Sequence, residues 1–284
     1  MIDKSEIEIA YKNAIHFTKS HYENFPVLSV FVPKHLQKHV AIVYQFARQA
    51  DDIADEGTFT VRERIVKLAE YEKQLDDSLN GIYNNYFWLA LANTINNFQL
   101  TTSNFKNLLI AFRQDLTKTE YETFDELLNY CKYSANPVGR IILELNGIKN
   151  ENAFNYSDSI CTALQITNFL QDVSIDFKKG RVYLPEADMA NYNVDVNIFN
   201  TKINDSNFQA LIKNEIEIVQ KYFDDGKKLL PYLPFGLKQQ IKWTIRGGIG
   251  ILAKIENFKY DVLNKRPKYS KVDLIKLLLN IKIR

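Results

Sequence analysis

The chain has 284 residues, 46% hydrophobic and 25% charged, which suits a globular protein with material for a large core. A formal net charge of +2 gives no electrostatic case for a nucleic-acid partner, and two cysteines without CxxC spacing, Cys131 and Cys161, exclude a disulfide scaffold and match a reducing compartment. The start, MIDKSEIEIAYKNAIHF, lacks an apolar signal region, and no run of 18 uncharged apolar residues would span a bilayer, so a cytoplasmic protein is expected.

Apolar residues recur at three- and four-residue spacing almost throughout, and alternating stretches are nearly absent. With 10 glycines and 7 prolines, punctuation is sparse, as long helices require. The pattern predicts an all-α chain forming one domain over residues 1–284, without repeats or linkers. Helices are expected over 5–19, 34–55, 60–80, 85–98, 104–117, 124–147, 155–177, 207–230, 236–263 and 271–283. Pro137 alone falls inside a helical pattern and should kink or break it. Residues 185–206 read as the longest irregular stretch, and RGGIGIL at 246–252 as close helix packing.

The first chemically informative stretch is ARQADDIADEG, 47–57, which follows the apolar run VAIVYQFA. Helical spacing puts Tyr44, Arg48, Asp51 and Asp55 on one stripe, with Asp52 and Glu56 on a second beside it. Acidic residues at a helix C-terminus repel one another and face the wrong end of the macrodipole. Taken alone, such a cluster also suits a solvated helix end, which is the reading for Asp76–Asp77 and Asp224–Asp225.

A second acidic stretch, QITNFLQDVSIDFKKGRVYLP, covers 165–185. Gln165, Asn168, Asp172 and Asp176 share one helical face and all present oxygens, while Ile166, Phe169, Leu170 and Val173 occupy other faces. Oxygen-only ligands without a His or Cys stripe select hard cations, Mg2+ first. Two such helices facing each other across a cavity would bind a diphosphate through metal ions. Beyond the second stripe, Lys178, Lys179, Arg181 and Tyr183 offer donors to phosphate oxygens, and Gly180 lets the chain turn.

The pairing of FARQADDIADE with QITNFLQDVSIDFKKGRVYLP resembles the squalene/phytoene synthase family, the head-to-head prenyl synthases. The likeness runs from about Phe25 to Pro267. ENFPVLSVFVP, 23–33, and YCKYSANPVGRIILEL, 130–145, are similar to signatures of the bacterial hydroxysqualene synthase branch. No membrane anchor like that at the C-terminus of eukaryotic squalene synthases is expected. The resemblance implies a single-domain, all-α isoprenoid synthase-type bundle around a central cavity.

It further implies that Asp51, Asp52 and Asp55 bind Mg2+ at one site and Asn168, Asp172 and Asp176 at another. Arg48, Arg181 and Tyr183 would contact diphosphate, while Tyr44, Tyr130 and Phe25 would line the prenyl cavity and face cationic intermediates. His21, Ser134, Gln165 and Arg266 are further implied substrate contacts. The implied substrate is a prenyl diphosphate, either presqualene or farnesyl diphosphate. Presqualene diphosphate would ionise, rearrange and capture water, giving hydroxysqualene on the route to squalene and hopanoids. No GxGxxG fingerprint suggests NADPH.

A condensing synthase making presqualene diphosphate, dehydrosqualene or phytoene shares every aspartate and stands as an alternative. A non-catalytic assembly or scaffold relative stands as a second, although it would be expected to erode the aspartates. Three smaller signals remain. His35 and His39, four apart without an HExxH pattern, read as surface or packing residues, and Cys131 as a small buried residue. The tail KVDLIKLLLNIKIR reads as a final packing helix or, alternatively, a peripheral membrane contact.

Overall fold

The computed structural model describes residues 4–20, 32–270 and Asp273. Its helices are α1 (Lys4–Ser20), α2 (Lys34–Asp55), α3 (Val61–Leu79), α4 (Tyr86–Phe98), α5 (Thr102–Asp115) and α6 (Phe124–Ser134). They continue with α7 (Asn136–Leu145), α8 (Glu151–Asp176), α9 (Glu186–Asn191), α10 (Ile198–Thr201), α11 (Ser206–Gly226) and α12 (Phe235–Asn257). Among the described residues there is no strand, so the all-α expectation holds.

Departures from the predicted boundaries have local causes. The helix expected over 124–147 breaks at Ala135, and Pro137 sits in the first turn of α7, where its missing N–H costs nothing. α8 begins four residues early because the Asn150 side chain accepts from Ala153 N (3.1 Å) and caps it. α12 stops at Asn257 rather than 263, and Lys259 and Tyr260 beyond it are left-handed (φ 54° and 59°). Residues 185–206 are not one irregular stretch: α9 and α10 lie within them, α9 starting directly after Pro185. The helix expected over 271–283 lies outside the described residues, Asp273 apart.

The chain divides into two compact units, one built from residues 1–117, 137–154 and 232–240, the other from 118–136, 155–231 and 241–284. In the first unit α1 packs on α2 and α4, around a core that includes Leu36, Ile42, Phe46, Leu68, Leu75, Trp88 and Phe105. Fully burying one such side chain contributes about 1.5–3 kcal/mol. Polar groups inside this core are paired. Tyr11 Oη donates to Ala90 O (3.0 Å), and His39 Nδ1 lies 2.9 Å from Thr94 Oγ1. The His39 ring packs edge-on against Tyr11 and Phe98, and burial pushes its pKa down to about 4, so it is a neutral packing residue. Glu144, also buried, accepts from Thr101 N (2.9 Å) and ties α7 to the start of α5.

In the second unit, glycines let helices approach closely. A Cβ on Gly248 of α12 would sit 2.4 Å from Phe223 and 3.1 Å from Leu164, which agrees with the packing role expected for RGGIGIL. Cys131 is fully buried and its thiol is pushed up to about 12 by that burial, so it stays protonated. Glu215 of α11 is 1% exposed, and its Oε1 has no hydrogen-bond partner among the described residues. Burial first, then the charge of Asp188, raises its pKa to about 8, against a smaller opposing hydrogen bond from Asn214.

Two outcomes are expected. Gly248→Ala should cost about 1–3 kcal/mol by overpacking, read as a fall of several degrees in Tm. For Glu215, the folded pKa lies above the unfolded value near 4.5, so the folded state binds the extra proton and stability falls as pH rises from about 4.5 to about 8. Glu215→Gln should remove that slope and gain on the wild type steadily up to about pH 8. Parallel Tm–pH curves for the two proteins would show that Glu215 does not hold the proton.

Candidate active site

The first acidic set lies in the first unit, on the last two turns of α2. Val43, Phe46, Ala50 and Ala54 bury one face of this helix, which leaves Tyr44, Arg48, Asp51 and Asp52 half-buried and Asp55 exposed. Arg48 gathers the carboxylates around its guanidinium: Nε is 2.7 Å from Asp52 Oδ1, Nη1 3.3 Å from Asp51 Oδ2 and Nη2 2.8 Å from Glu56 Oε1. The guanidinium thus draws on both expected stripes, Asp51 from the first and Asp52 and Glu56 from the second, and offsets their mutual repulsion. Tyr44 lies one turn earlier, its ring 6.4 Å from that of Phe17.

The second set lies in the second unit, on the C-terminal half of α8. Ile166, Phe169, Leu170 and Val173 are buried, Gln165, Asp172 and Asp176 half-buried, and Asn168 exposed. Arg266 grips Asp172 with two parallel bonds, Nε to Oδ1 at 2.5 Å and Nη2 to Oδ2 at 2.8 Å. This fork-on-carboxylate pairing is the strong, directional kind. The segment carrying Arg266 is pinned to the same helix: buried Gln171 donates to Pro267 O (2.6 Å). Tyr269 donates to Gly247 O on α12, and Asp273 pairs with Lys254 (2.9 Å). Asp176 is pushed up to about 6, by burial first and then by the charge of Asp172, against Lys179, Arg181 and Arg266.

After α8 the chain makes a 3-10 turn over Phe177–Lys179 and reverses at Gly180, whose φ of 76° explains the glycine there. Arg181 N bonds Asp176 O (2.9 Å) and Val182 N bonds Thr119 O (2.8 Å), which fixes the strand-like run carrying Arg181 and Tyr183. Tyr183 stacks on Phe169 with ring centroids 3.7 Å apart and planes 8° from parallel. Tyr121 also stacks with Tyr183 at 5.7 Å, and buried Tyr130 lies 5.8–6.2 Å from the three rings of this group. A cavity of about 10 Å3 touches Phe169, Asp176, Arg181, Tyr183 and Glu215. It holds roughly one water molecule and is a packing gap rather than a chamber for a prenyl chain.

Within each unit, then, the structure joins predicted residues: Arg48 with Asp51 and Asp52 in one, Arg266 with Asp172 and Tyr130 with Tyr183 in the other. Ser134 ends α6, its Oγ buried without a hydrogen-bond partner among the described residues. His21 and Phe25 lie outside the described residues. Among the described residues no group of three or more His, Cys, Asp or Glu side chains could by itself hold a metal ion. Periodicity placed Phe169 only on an apolar face and singled out neither Tyr121 nor Gln171, whose importance depends on a contact 96 residues away.

The model of the squalene/phytoene synthase family matches residues 18–273. A chloroplastic phytoene synthase of an Oncidium hybrid cultivar is 28% identical over 92% of this chain. The hydroxysqualene synthase of Zymomonas mobilis is 36% identical over 57% of it. The chain spans 65% and 54% of those two proteins. Among solved structures, squalene synthase HpnC from Alicyclobacillus acidocaldarius superposes with a TM-score of 0.86 at 35% identity, covering 90% of this chain and 96% of that one. A dehydrosqualene synthase in complex with ligand gives 0.83 at 24%, covering 98% and 97%, and speaks for the fold alone. With its two acidic sets intact and its all-α isoprenoid synthase fold, the chain belongs to the squalene/phytoene synthase family.

Proposed function

We propose that this chain is a Mg2+-dependent synthase acting on prenyl diphosphates, and specifically a hydroxysqualene synthase that converts presqualene diphosphate and water into hydroxysqualene and diphosphate. It rests on one observation: each unit presents half-buried aspartates already organised around a guanidinium, Arg48 in one and Arg266 in the other. The branch is supported by the 36% and 35% identities to the Zymomonas hydroxysqualene synthase and to squalene synthase HpnC, against 26–30% for the phytoene synthases. We take residues 1–284 to work as one domain in this activity.

The donor set suits Mg2+. Every candidate ligand is an oxygen, and Asp176, raised to about 6 by burial and by Asp172, would gain from a nearby cation. That no group of three carboxylates among the described residues forms a ready cage is compatible with this metal, which keeps its waters and uses one or two carboxylates together with substrate phosphates. Asp51, Asp52 and Asp55, and Asn168, Asp172 and Asp176, are the residues we assign to hold it. When bound, Mg2+ supplies electrostatic stabilisation of the charge developing on the leaving diphosphate.

The chain's own residues supply the rest. Arg48, Arg181 and Tyr183 donate to diphosphate oxygens, and Arg266 holds Asp172 in a fixed orientation. As the C–O bond to diphosphate breaks, the carbocation needs aromatic faces and no stray water. Tyr44 and Tyr130 face the prenyl chain, and Tyr130 draws its rigidity from the stack of Tyr121, Tyr183 and Phe169. Water then forms the new C–O bond, and its proton leaves with diphosphate, so no reductant is consumed.

A condensing synthase is the second reading. It is favoured by the phytoene synthase relatives, which align over as much as 93% of this chain where the hydroxysqualene synthase covers 57%. Nothing favours a scaffold role.

Purified protein with Mg2+ and without NADPH, given presqualene or farnesyl diphosphate in separate incubations, separates the two readings by gas chromatography–mass spectrometry. Hydroxysqualene from the first and no product from the second is the expected result. A condensed product from farnesyl diphosphate would overturn the branch assignment. Asp51→Asn and Asp172→Asn should each lower turnover about 100-fold or more while leaving the helical circular dichroism unchanged. Wild-type rates at saturating Mg2+ in either variant would refute the assigned role.

A further inference from the structure

Arg64 of α3 is a buried cation, 9% exposed, and it spends its guanidinium on backbone carbonyls. Nη1 donates to Ile53 O (2.8 Å) and Ala54 O (2.7 Å), Nη2 to Gly57 O (2.9 Å) and Nε to Phe59 O (3.1 Å). Two of these acceptors belong to the last turn of α2 and two to the link into α3. The final four carbonyls of a helix have no partner within it. In α2 the Asp52 carbonyl is taken by Glu56 N (2.9 Å), and those of Ile53 and Ala54 by Arg64. Gly57, at φ 82°, lets the chain turn back so that α3 can deliver this side chain.

That last turn is also the one bearing Asp51, Asp52 and Asp55. Like charges crowded at the negative end of a helix dipole favour fraying of the turn that holds them. Arg48 answers the charge from the side-chain surface, whereas Arg64 answers it through the backbone. The two guanidiniums are not interchangeable. Arg48 faces carboxylates and can turn to a phosphate, but Arg64 is engaged with four carbonyls from the buried side and has no such freedom.

We infer that Arg64 is the positioning residue of the first acidic set: by tying the carbonyls of Ile53, Ala54, Gly57 and Phe59 to one rigid fork, it keeps the final turn of α2 helical and Asp51 and Asp55 on one face. This rests on the proposed function of that set as a diphosphate–metal site. A planar five-donor fork is required, because a lysine ammonium is a point charge that cannot span acceptors on both sides of the turn. The neighbouring capping box of α3, Thr60 with Glu63, stabilises the same link without touching the α2 carbonyls, so it supplies the control.

The test compares wild type, Arg64→Met, Arg64→Lys and Glu63→Gln by two measurements. Hydrogen exchange of the amides of residues 52–56 reads the turn directly and needs no ligand. Calorimetric titration with inorganic pyrophosphate in Mg2+ reads the site. Arg64→Met and Arg64→Lys should both speed exchange in that turn and weaken pyrophosphate binding about tenfold or more, since a misplacement of about 1 Å can cost about 100-fold in such sites. Glu63→Gln should bind as the wild type does even where its Tm falls.

Unchanged exchange at 52–56 in the Arg64 variants overturns the tie. Wild-type affinity in Arg64→Lys, or equal losses in Glu63→Gln and Arg64→Met, overturns the positioning role in favour of charge alone or general stability. Should Arg64→Met not fold, Arg64→Lys is read by the same criteria. No pyrophosphate uptake by the wild type, with the exchange difference present, instead overturns the proposed function and leaves Arg64 a helix cap.

Discussion

Carboxylates gathered near the end of a helix repel one another and oppose the helix dipole, and much of the local architecture around both acidic sets answers that cost. In the first unit the answer comes from two arginines. Arg48 lies among the carboxylates of Asp51, Asp52 and Glu56, and Arg64 holds the carbonyls beneath them. Tyr71, donating to Phe46 O (3.1 Å), adds to Arg64 a second side chain of α3 tied to α2. A short link with one left-handed glycine makes both ties possible, because it folds α3 back along the helix it must support.

The second unit meets the same constraint from a distance. Asp172 receives its guanidinium from Arg266, 94 residues away, and Gln171 on the neighbouring position of α8 holds the next residue of that segment by donating to Pro267 O. Where nearby cations do not outweigh burial, the proton takes their place. Asp176, with only partial cationic company, sits near a pKa of 6, and Glu215, beside Asp188, near 8. The gradation follows from desolvation, which penalises the charged form of any carboxylate lacking a partner. It separates carboxyls suited to a cation from those that the core keeps neutral.

Aromatic packing links this electrostatic frame to the chemistry proposed for it. Tyr183 follows Arg181 by two residues on a run whose backbone is fixed to Asp176 and Thr119, and its ring stacks with those of Phe169 and Tyr121. Arg181, the diphosphate donor we propose, and an aromatic cluster thus share one short segment. Rigid rings and fixed donors suit a reaction whose intermediate must be neither quenched nor allowed to wander.

Much of this was legible in the sequence. Three- and four-residue periodicity gave the long helices, because each buries one apolar stripe, and Pro137 and Gly180 marked their turns by backbone constraint alone. The two acidic stripes were legible for the same reason: residues three and four apart on a helix share a face whatever lies around them. Other features depend on partners that periodicity does not encode. α9 and α10 were hidden because helices this short carry no periodic signal. Only tertiary structure gives Arg266 to Asp172, sets Tyr183 against Phe169, leaves Glu215 Oε1 without a hydrogen-bond partner among the described residues and turns Arg64 inward to the α2 carbonyls. Each of these is decided by which groups are desolvated together, and that is a property of the packed chain rather than of any local stretch of it.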